Sequence, residues 1–509
     1  MQIAIRVDAS LHIGSGHVMR CLVLAKALSE RGHQLQFLCR PQQGDLIDFI
    51  QHNGFAVSQL NPPKAWRTPK GSADYEAWLQ VPWQQDAEEV VARCESVRLM
   101  IVDHYGINAD WERYVKANLA CQLLVIDDLV RPHHADVILD QTLGRQPQAY
   151  QQVLSNQPHL LMGCDYALLP PSFAENRKTV FARKTLSTPH HVLITMGAVD
   201  QPNATLQILK AFAKFTKDKP VVTVLLKPSA PHYQSVATFC QQQADWVTHH
   251  DFIEDMATLM LTQDVAIGAP GTTSWERACL GLPSIIVPIA DNQQTMSEQL
   301  VKVGAAVCVE LAAIAQHLLP AYQQVVEHWD DLRAVNLTLC DGLGATRALH
   351  YIEQLMTYNN APVLLRYATS ADIKLVFDWQ QLPETRQYAL NTASPNWQEH
   401  YAWMQKQLTH HNNFFYIITR SKGGEACGVV RLAQERGDYL LSIYLDPRQT
   451  RKGYAKAALK VIDQLHPDIT IHATVLPANK ASQALFTAAN YHQSNDHSFI
   501  RLPHSQRLI

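Results

Sequence analysis

The sequence has no CxxC pair and no cysteine–histidine cluster at metal-ligand spacing; its ten cysteines are scattered through 509 residues. That pattern points to reduced, mostly buried thiols and away from a disulfide scaffold or a zinc module. No apolar run reaches the roughly 18 residues that a membrane span needs. Met1-Gln2 leads straight into an apolar stretch, without the basic-then-apolar signature of an export signal. Neither sign of charge prevails: 43 Lys and Arg stand against 46 Asp and Glu, a formal net charge of −3. A global electrostatic footprint for nucleic acid or an anionic membrane is therefore missing. Internal repeats and low-complexity segments are also missing. A cytoplasmic chain of two to four domains is expected, since this length exceeds one ordinary domain, and 47% hydrophobic residues suffice for packed cores.

What is present begins at once. A short apolar strand, Ile3 to Val7, runs into Asp8 to Arg20 (DASLHIGSGHVMR) and then into a segment of helical apolar period from Val18 to Leu28. Gly14 and Gly16 permit a tight turn and close approach of backbone to a ligand. The helix behind them directs free N–H groups and a partial positive charge to the same place, which suits an anion. His17 stands at that helix start, either as a capping or packing residue or as a general base. Further strands are expected at His33 to Leu38, Arg98 to Val102, Cys121 to Ile126 and Ala135 to Leu139. Apolar strands alternating with helices imply a parallel sheet covered on both faces. Ligands of such sheets bind beyond the carboxyl ends of the strands, where Asp8, Asp103, His104, Tyr105, Asp127 and Asp128 fall.

The alternation restarts near residue 176. Strands are expected at His191 to Thr195, Pro220 to Leu226, Asp264 to Ile267 and Ser284 to Pro288, with Asn203 and Thr205 opening a helix. The third strand leads into a second glycine-containing loop and helix, Gly268 to Glu276. Gly271, Thr272, Thr273 and Ser274 offer amides and hydroxyls suited to a diphosphate. Glu276 could accept hydrogen bonds from ribose hydroxyls. Asp291-Asn292-Gln293 follows the last strand and suits a hydroxyl-rich ligand. The plain alternative for the loop is a helix N-cap by Thr or Ser.

Two tandem α/β halves of this kind are the architecture of GT-B sugar-nucleotide glycosyltransferases. The stretches DASLHIGSGHVMRCLVLAKAL, VDHYGI, VIDD, YALLPPSF, TMGAVD, HDFIEDMATLM and GAPGTTSWERACLGLPSIIVPIADNQ resemble more closely the UDP-sugar hydrolases of pseudaminic acid biosynthesis, over roughly residues 1 to 350. The resemblance implies a UDP site in the second half: Phe252 and Ile253 at the uracil, Glu276 at the ribose, Gly271 to Ser274 at the diphosphate. It implies that His17 activates the water that attacks the anomeric carbon. Gly14, Gly16, Arg20, Tyr105, Asn203, Asn292 and Gln293 are the further candidates for substrate contact, and no metal is required if amides and the helix dipole stabilise the leaving diphosphate.

Tyr358 to Pro362 is a plausible linker. Beyond it, strands are expected at Val363 to Tyr367, Phe414 to Ile418, Cys427 to Leu432, Tyr439 to Leu445 and Ile469 to Val475. LDPRQTRKGYAKAAL followed by LPANKASQALFTAANY resembles the GNAT family of acetyl-coenzyme A-dependent N-acetyltransferases. The resemblance implies that Arg451, Lys452, Gly453, Tyr454 and Ala455 bind the coenzyme A pyrophosphate, that the backbone at Leu445 holds the pantetheine, and that Asn479 contacts the cofactor arm. Trp379, Arg386, His400 and Trp403 fall in the acceptor-side region. Thr450 replaces the usual first Arg or Gln of the phosphate loop. Phe486 stands where many members carry the tyrosine that protonates the leaving thiolate; water, Tyr444 or Tyr491 are the substitutes. His400 and His472 are equally open as general base or as packing residues.

The expected organisation is therefore two Rossmann-like halves in a GT-B fold, 1–175 and 176–358, followed by an α+β GNAT domain, 363–509. The expected partners are UDP-amino-sugars and acetyl-CoA. The implied activities are acetylation of a UDP-linked amino sugar and hydrolysis of the UDP-linked diacetamido-trideoxy product, in a route to a nonulosonic acid used in surface or flagellin glycosylation.

Overall fold

The computed structural model describes the chain except residues 72, 182–190, 198, 216–218, 358–360, 410–412, 436 and 507–509, and the side chain of Asn292. It divides into two compact units, Met1–Leu349 and His350–Ile509.

The first unit holds two parallel sheets. The first contains β1 (Gln2–Val7), β2 (Gln34–Cys39), β3 (Ala56–Gln59), β4 (Leu99–Asp103), β5 (Gln122–Ile126), β6 (Val137–Asp140) and β7 (His159–Met162), in the order β3-β2-β1-β4-β5-β6-β7. The second contains β8 (His191–Thr195), β9 (Val221–Leu225), β10 (Val247–His250), β11 (Val265–Gly268), β12 (Ser284–Ile286) and β13 (Ala306–Cys308), in the order β10-β9-β8-β11-β12-β13. Each order reverses once, between β1 and β4 and between β8 and β11. Those reversals are the switch points at which open α/β sheets bind ligands. β1 and β4 are nearly continuous apolar runs because both faces of the sheet are covered. Leu38, Met100, Val102, Trp111, Val115, Leu123 and Val125 belong to one buried cluster.

Below the first switch point lies a buried ionic network. Arg6, inside β1, pairs with Asp8 at 2.6 Å and with Asp86 at 2.8 Å, and Asp86 also holds Arg40 at 2.8 Å. The Trp111 indole N–H donates to Asp86 at 3.0 Å, and the Arg40 backbone N–H donates to Asp8 at 2.7 Å. Burial alone would raise the Asp8 pKa, but the Arg6 guanidinium and His104 hold it well below the usual carboxylate range. The network ties the carboxyl ends of β1 and β2 together under the loop that carries His17.

The second unit contains a seven-stranded sheet: β14 (Val363–Tyr367), β15 (Phe414–Arg420), β16 (Ala426–Glu435), β17 (Asp438–Leu445), β18 (Ile471–Thr474), β19 (His492–Asn495) and β20 (Ser498–Arg501), in the order β14-β15-β16-β17-β18-β20-β19. All neighbours are antiparallel except β17 and β18, whose parallel register is confined to Tyr439↔Ile471 and Leu440↔His472. Beyond Leu440 the two strands part, and Leu445 lies on the opened edge. The unit starts before residue 363. Gln354 accepts the Leu365 N–H at 2.8 Å, and the His350 ring stacks on Tyr416 at 5.4 Å. Three of the expected linker residues, 358–360, lie outside the described residues. No helix among the described residues is long and apolar enough to cross a membrane.

Candidate functional site

Helix Gly16–Glu30 starts directly after the glycine turn, with Gly14 at φ +80°. His17 is therefore held in the first turn, beside the end of β4. Its Nδ1 lies 2.6 Å from Asp103 Oδ1. Burial would push the Asp103 carboxyl up, but the Arg20 guanidinium and His17 outweigh it and hold the group well below its usual range. An ionised carboxylate can only accept, so Nδ1 carries a proton, and in the neutral imidazole the lone pair is on Nε2. Nε2 makes no hydrogen bond among the described residues, and the side chain keeps 11% of its exposure.

Arg20, one turn after His17, clamps Asp103 through Nε to Oδ2 at 2.6 Å and Nη2 to Oδ1 at 2.7 Å. Its Nη1 donates to Asp128 at 2.6 Å, and Asp128 also accepts the Tyr105 hydroxyl at 2.7 Å. The Tyr105 ring returns to His17, edge to face at 4.7 Å. Arg20 and Tyr105 were expected to touch substrate. Their polar ends bond to carboxylates, which ties both residues to the frame around His17. Trp78 closes the other side, edge to face with the His17 ring at 6.0 Å, and Tyr75 packs on Trp78 and Tyr105 at 4.9 and 5.3 Å. Sequence reasoning missed Tyr75 and Trp78; the aromatic stretch ADYEAWLQVPW was the available signal. Tyr75 and Tyr105 also line a cavity of about 670 Å³ that includes Asn108, Arg113 and Arg131.

At the second switch point, helix Thr272–Cys279 begins where β11 ends. Thr272 and Thr273 are half-buried in its first turn, where backbone N–H groups have no partner within the helix. Ser274 is buried, and its hydroxyl accepts the Gly271 N–H at 3.3 Å and a guanidinium N–H of Arg277 at 2.9 Å. Ser274 thus shapes the loop, and its hydroxyl hydrogen is left to donate. Glu276 is half-buried with one carboxyl oxygen unpartnered, and burial pushes its pKa up to about 7. Phe252 is 64% exposed and meets Phe49 of the first half edge to face at 6.5 Å. Ile253 beside it is half-buried. The Gln293 amide oxygen accepts the Ile289 N–H at 2.8 Å, so it braces the loop after β12. The Asn292 side chain and Ala198 lie outside the described residues. Asn203 stands at the N-cap of the next helix, where the chain was expected to open one. It sits at φ +57° with its side-chain oxygen unpartnered, and Asp200 caps the helix by accepting the Ala204 and Thr205 N–H groups at 2.8 and 2.9 Å.

In the second unit, Arg451 and Gly453 both have left-handed backbone, φ +59° and +80°, ahead of helix Tyr454–Leu465. Arg451, Lys452 and Gly453 are exposed, and Tyr454 and Ala455 are half-buried. Such a turn directs successive amides outward, a geometry that receives anionic oxygens. Asn479 caps helix Lys480–Ala488 by accepting the Ser482 N–H at 3.1 Å, which leaves its amide NH₂ for a ligand. Phe486 is in the core, packed on Tyr491 and Phe499 at 5.1 and 5.7 Å. His400 is also a packing residue: it is buried, and its Nε2 donates to the Ile373 carbonyl at 3.2 Å. His472 pairs with Asp438 at 2.8 Å. Tyr444 lies one residue before Leu445, and burial pushes its hydroxyl far above the usual range, so it stays protonated.

Two family models match parts of the chain. Residues 191–332 match the glycosyltransferase family 28 C-terminal domain, and residues 363–492 match the acetyltransferase (GNAT) domain. The UDP-2,4-diacetamido-2,4,6-trideoxy-beta-L-altropyranose hydrolase of Campylobacter jejuni is 27% identical over 304 residues, 60% of this chain and 97% of that protein. The chain is a homologue of that hydrolase carrying a GNAT domain. A Helicobacter pylori protein named as pseudaminic acid cytidylyltransferase and the same hydrolase is 26% identical over 256 residues, 49% of this chain and 44% of that protein. Among solved structures, Acinetobacter baumannii MurG aligns with 69% of this chain and 99% of its own, at 14% identity and a TM-score of 0.48. The first unit holds two open parallel α/β sheets, and the mixed sheet of the second falls largely in the stretch that matches the GNAT domain.

Proposed function

We propose that the first unit hydrolyses a UDP-linked diacetamido-trideoxy sugar and that the GNAT domain acetylates its amino-sugar precursor. The observation that carries the hydrolase reading is the His17–Asp103 pair at the first switch point, 2.6 Å apart. UDP binds at the second switch point: uracil by Phe252 and Ile253, ribose by Glu276, diphosphate at the Gly271–Thr273 amides. The sugar reaches across to His17, with Asn203 and Asn292 as polar contacts.

His17 Nε2 takes a proton from water, whose oxygen attacks the anomeric carbon as the bond to the UDP oxygen breaks with inversion. Asp103 stabilises the imidazolium that forms and fixes its tautomer. Helix-terminal amides receive the charge that develops on the diphosphate. Trp78, Tyr75 and Tyr105 exclude bulk water around the base. Support comes from the hydrolase homologues and from the buried ionic frame that holds His17. The test is UDP release from the acetylated UDP-sugar without any acceptor.

In the GNAT domain, acetyl-CoA lies along the opened β17 edge at Leu445, with its pyrophosphate on residues 451–455 and its arm near Asn479. The sugar amine attacks the thioester carbonyl, the carbon–sulfur bond breaks, Tyr444 protonates the departing thiolate where Phe486 has no hydroxyl to do so, and the proton lost by the new amide nitrogen passes through solvent to restore Tyr444.

A second reading is a glycosyltransferase in which an acceptor hydroxyl replaces water. The match of residues 191–332 to a glycosyltransferase domain favours it. It requires that UDP release depend on an added acceptor.

A further inference from the structure

Six arginines are buried among the described residues: Arg6, Arg20, Arg40, Arg277, Arg347 and Arg501. Five of them hold a carboxylate within 2.8 Å: Arg6 with Asp8, Arg20 with Asp103, Arg40 with Asp86, Arg347 with Asp341 and Arg501 with Asp463. Arg277 has none among the described residues. It is 1% exposed, and its Nε and Nη1 have no hydrogen-bond partner. Only Nη2 is engaged, donating to Ser274 Oγ at 2.9 Å and to the Ala269 carbonyl at 3.3 Å.

Its position is specific. The side chain turns back toward the N-terminus of its own helix and lies under the Gly268–Gly271 loop. A Cβ at position 268 would collide with Nη1 of Arg277 and would come within 2.6 Å of the Thr195 carbonyl oxygen. Gly268 ends β11 and Thr195 ends β8, so the guanidinium sits between the two strands that form the second switch point. A buried cation without a counter-ion is costly, by several kcal/mol in a dry site, unless an anion completes it. Burial lowers the Arg277 pKa to about 10, and the attraction of the adjacent Glu276 offsets this only in part.

We propose that Arg277 is the buried cationic floor of an anion subsite and that the diphosphate of a nucleoside diphosphate is its missing counter-ion. The inference rests on the nucleotide-site reading above and adds to it the charged group that neutralises the phosphates. Thr272 and Thr273 amides meet the anion from above. Arg277 meets it from below, directly or by polarising Ser274 and the Ala269 peptide. Because charge is the point, uridine gains nothing from Arg277, whereas UDP and inorganic pyrophosphate do.

The test is calorimetric titration of the full chain with UDP, uridine and inorganic pyrophosphate, on wild type, Arg277→Met and Arg277→Lys. For Arg277→Met the expected loss is about 10- to 100-fold in UDP affinity, the range of a hydrogen bond to a charged group, with a parallel loss for pyrophosphate. Uridine affinity changes by less than about twofold on the same scale. Arg277→Lys, which keeps the charge and loses the fork, falls between. Wild-type affinity for UDP in Arg277→Met overturns the proposal, as does an equal loss for UDP and uridine. If Arg277→Met does not fold, Arg277→Lys with an unchanged ratio of UDP to uridine affinity overturns it. A wild-type protein that binds no UDP defeats the nucleotide-site reading itself, a result distinct from UDP binding that ignores Arg277.

Discussion

His17 Nδ1 and Asp103 Oδ1 lie 2.6 Å apart, and the two residues come from opposite sides of a switch point: one follows β1, the other ends β4. The parallel register Val7↔Asp103 places the strand ends side by side. A base so held has its tautomer set before substrate arrives. Asp103→Asn keeps the shape and removes the charge. It is expected to lower the hydrolytic kcat by about 10²- to 10⁴-fold, the range for impaired acid–base catalysis, while UDP affinity stays within about twofold. Single-turnover kinetics and UDP titration on the same variant check both halves.

Glu276 gives a pH signature. Its pKa is pushed up to about 7 by burial. Hydrogen bonds from ribose hydroxyls favour the carboxylate, so nucleotide binding expels a proton near neutrality. UDP affinity is expected to rise from pH 6 to pH 8 and to weaken as pH falls through about 7. In the unliganded protein the sign is opposite: the raised pKa stabilises the fold at low pH, and that contribution is lost as pH rises to about 7. Titration in buffers of different ionisation enthalpy measures the released proton, and Glu276→Gln abolishes it.

Asp86 has a structural role with a large expected effect. It receives Arg6, Arg40 and the Trp111 indole in a site without solvent. Asp86→Ala leaves two buried guanidinium groups short of a partner and is expected to cost about 3–5 kcal/mol. Denaturant unfolding of the full chain, followed by intrinsic fluorescence, reads that loss.

Much of this frame was legible in the sequence, and the exceptions share a cause. The central strands β1, β4, β8 and β11 stand out because both faces are buried and their sequences are mostly apolar. β3 and β10 lie at sheet edges, read AVSQ and VTHH, and carry too little apolar pattern to be seen. β7, β13 and β19 are likewise edge strands of three or four residues. At the site, glycines and His17 were visible as a local motif. That Arg20 and Tyr105 spend their polar groups on Asp103 and Asp128 depends on contacts between residues more than 20 apart in sequence. Asp200 supplies the side-chain cap behind Asn203, since its carboxylate accepts two amides at once. Arg277 carried no signal at all, since only folding shows that it is buried with its Nε and Nη1 unpartnered.

Phe486 makes the acetyltransfer step depend on another proton donor. Its ring is packed among Tyr491 and Phe499, so Phe486→Tyr adds a hydroxyl to a core and is not expected to speed acetylation. Tyr444→Phe is expected to lower acetylation by about 10²-fold or more, as loss of a general acid does, with coenzyme A affinity retained. An acetyl-CoA assay on an amino-sugar nucleotide, run beside coenzyme A titration, separates the two. Unchanged turnover in Tyr444→Phe would assign the proton to water or to Tyr491.

The central claim is that water, activated by His17, cleaves the bond between the anomeric carbon and UDP. Hydrolysis of the acetylated UDP-sugar in ¹⁸O-labelled water, followed by mass spectrometry of both products, tests it directly. The account predicts label on the anomeric oxygen of the free sugar, none in UDP, no need for an acceptor, and loss of about 10²- to 10⁴-fold in rate for His17→Ala. Label in the UDP phosphate, release only when an acceptor is supplied, or near-normal turnover in His17→Ala would contradict it.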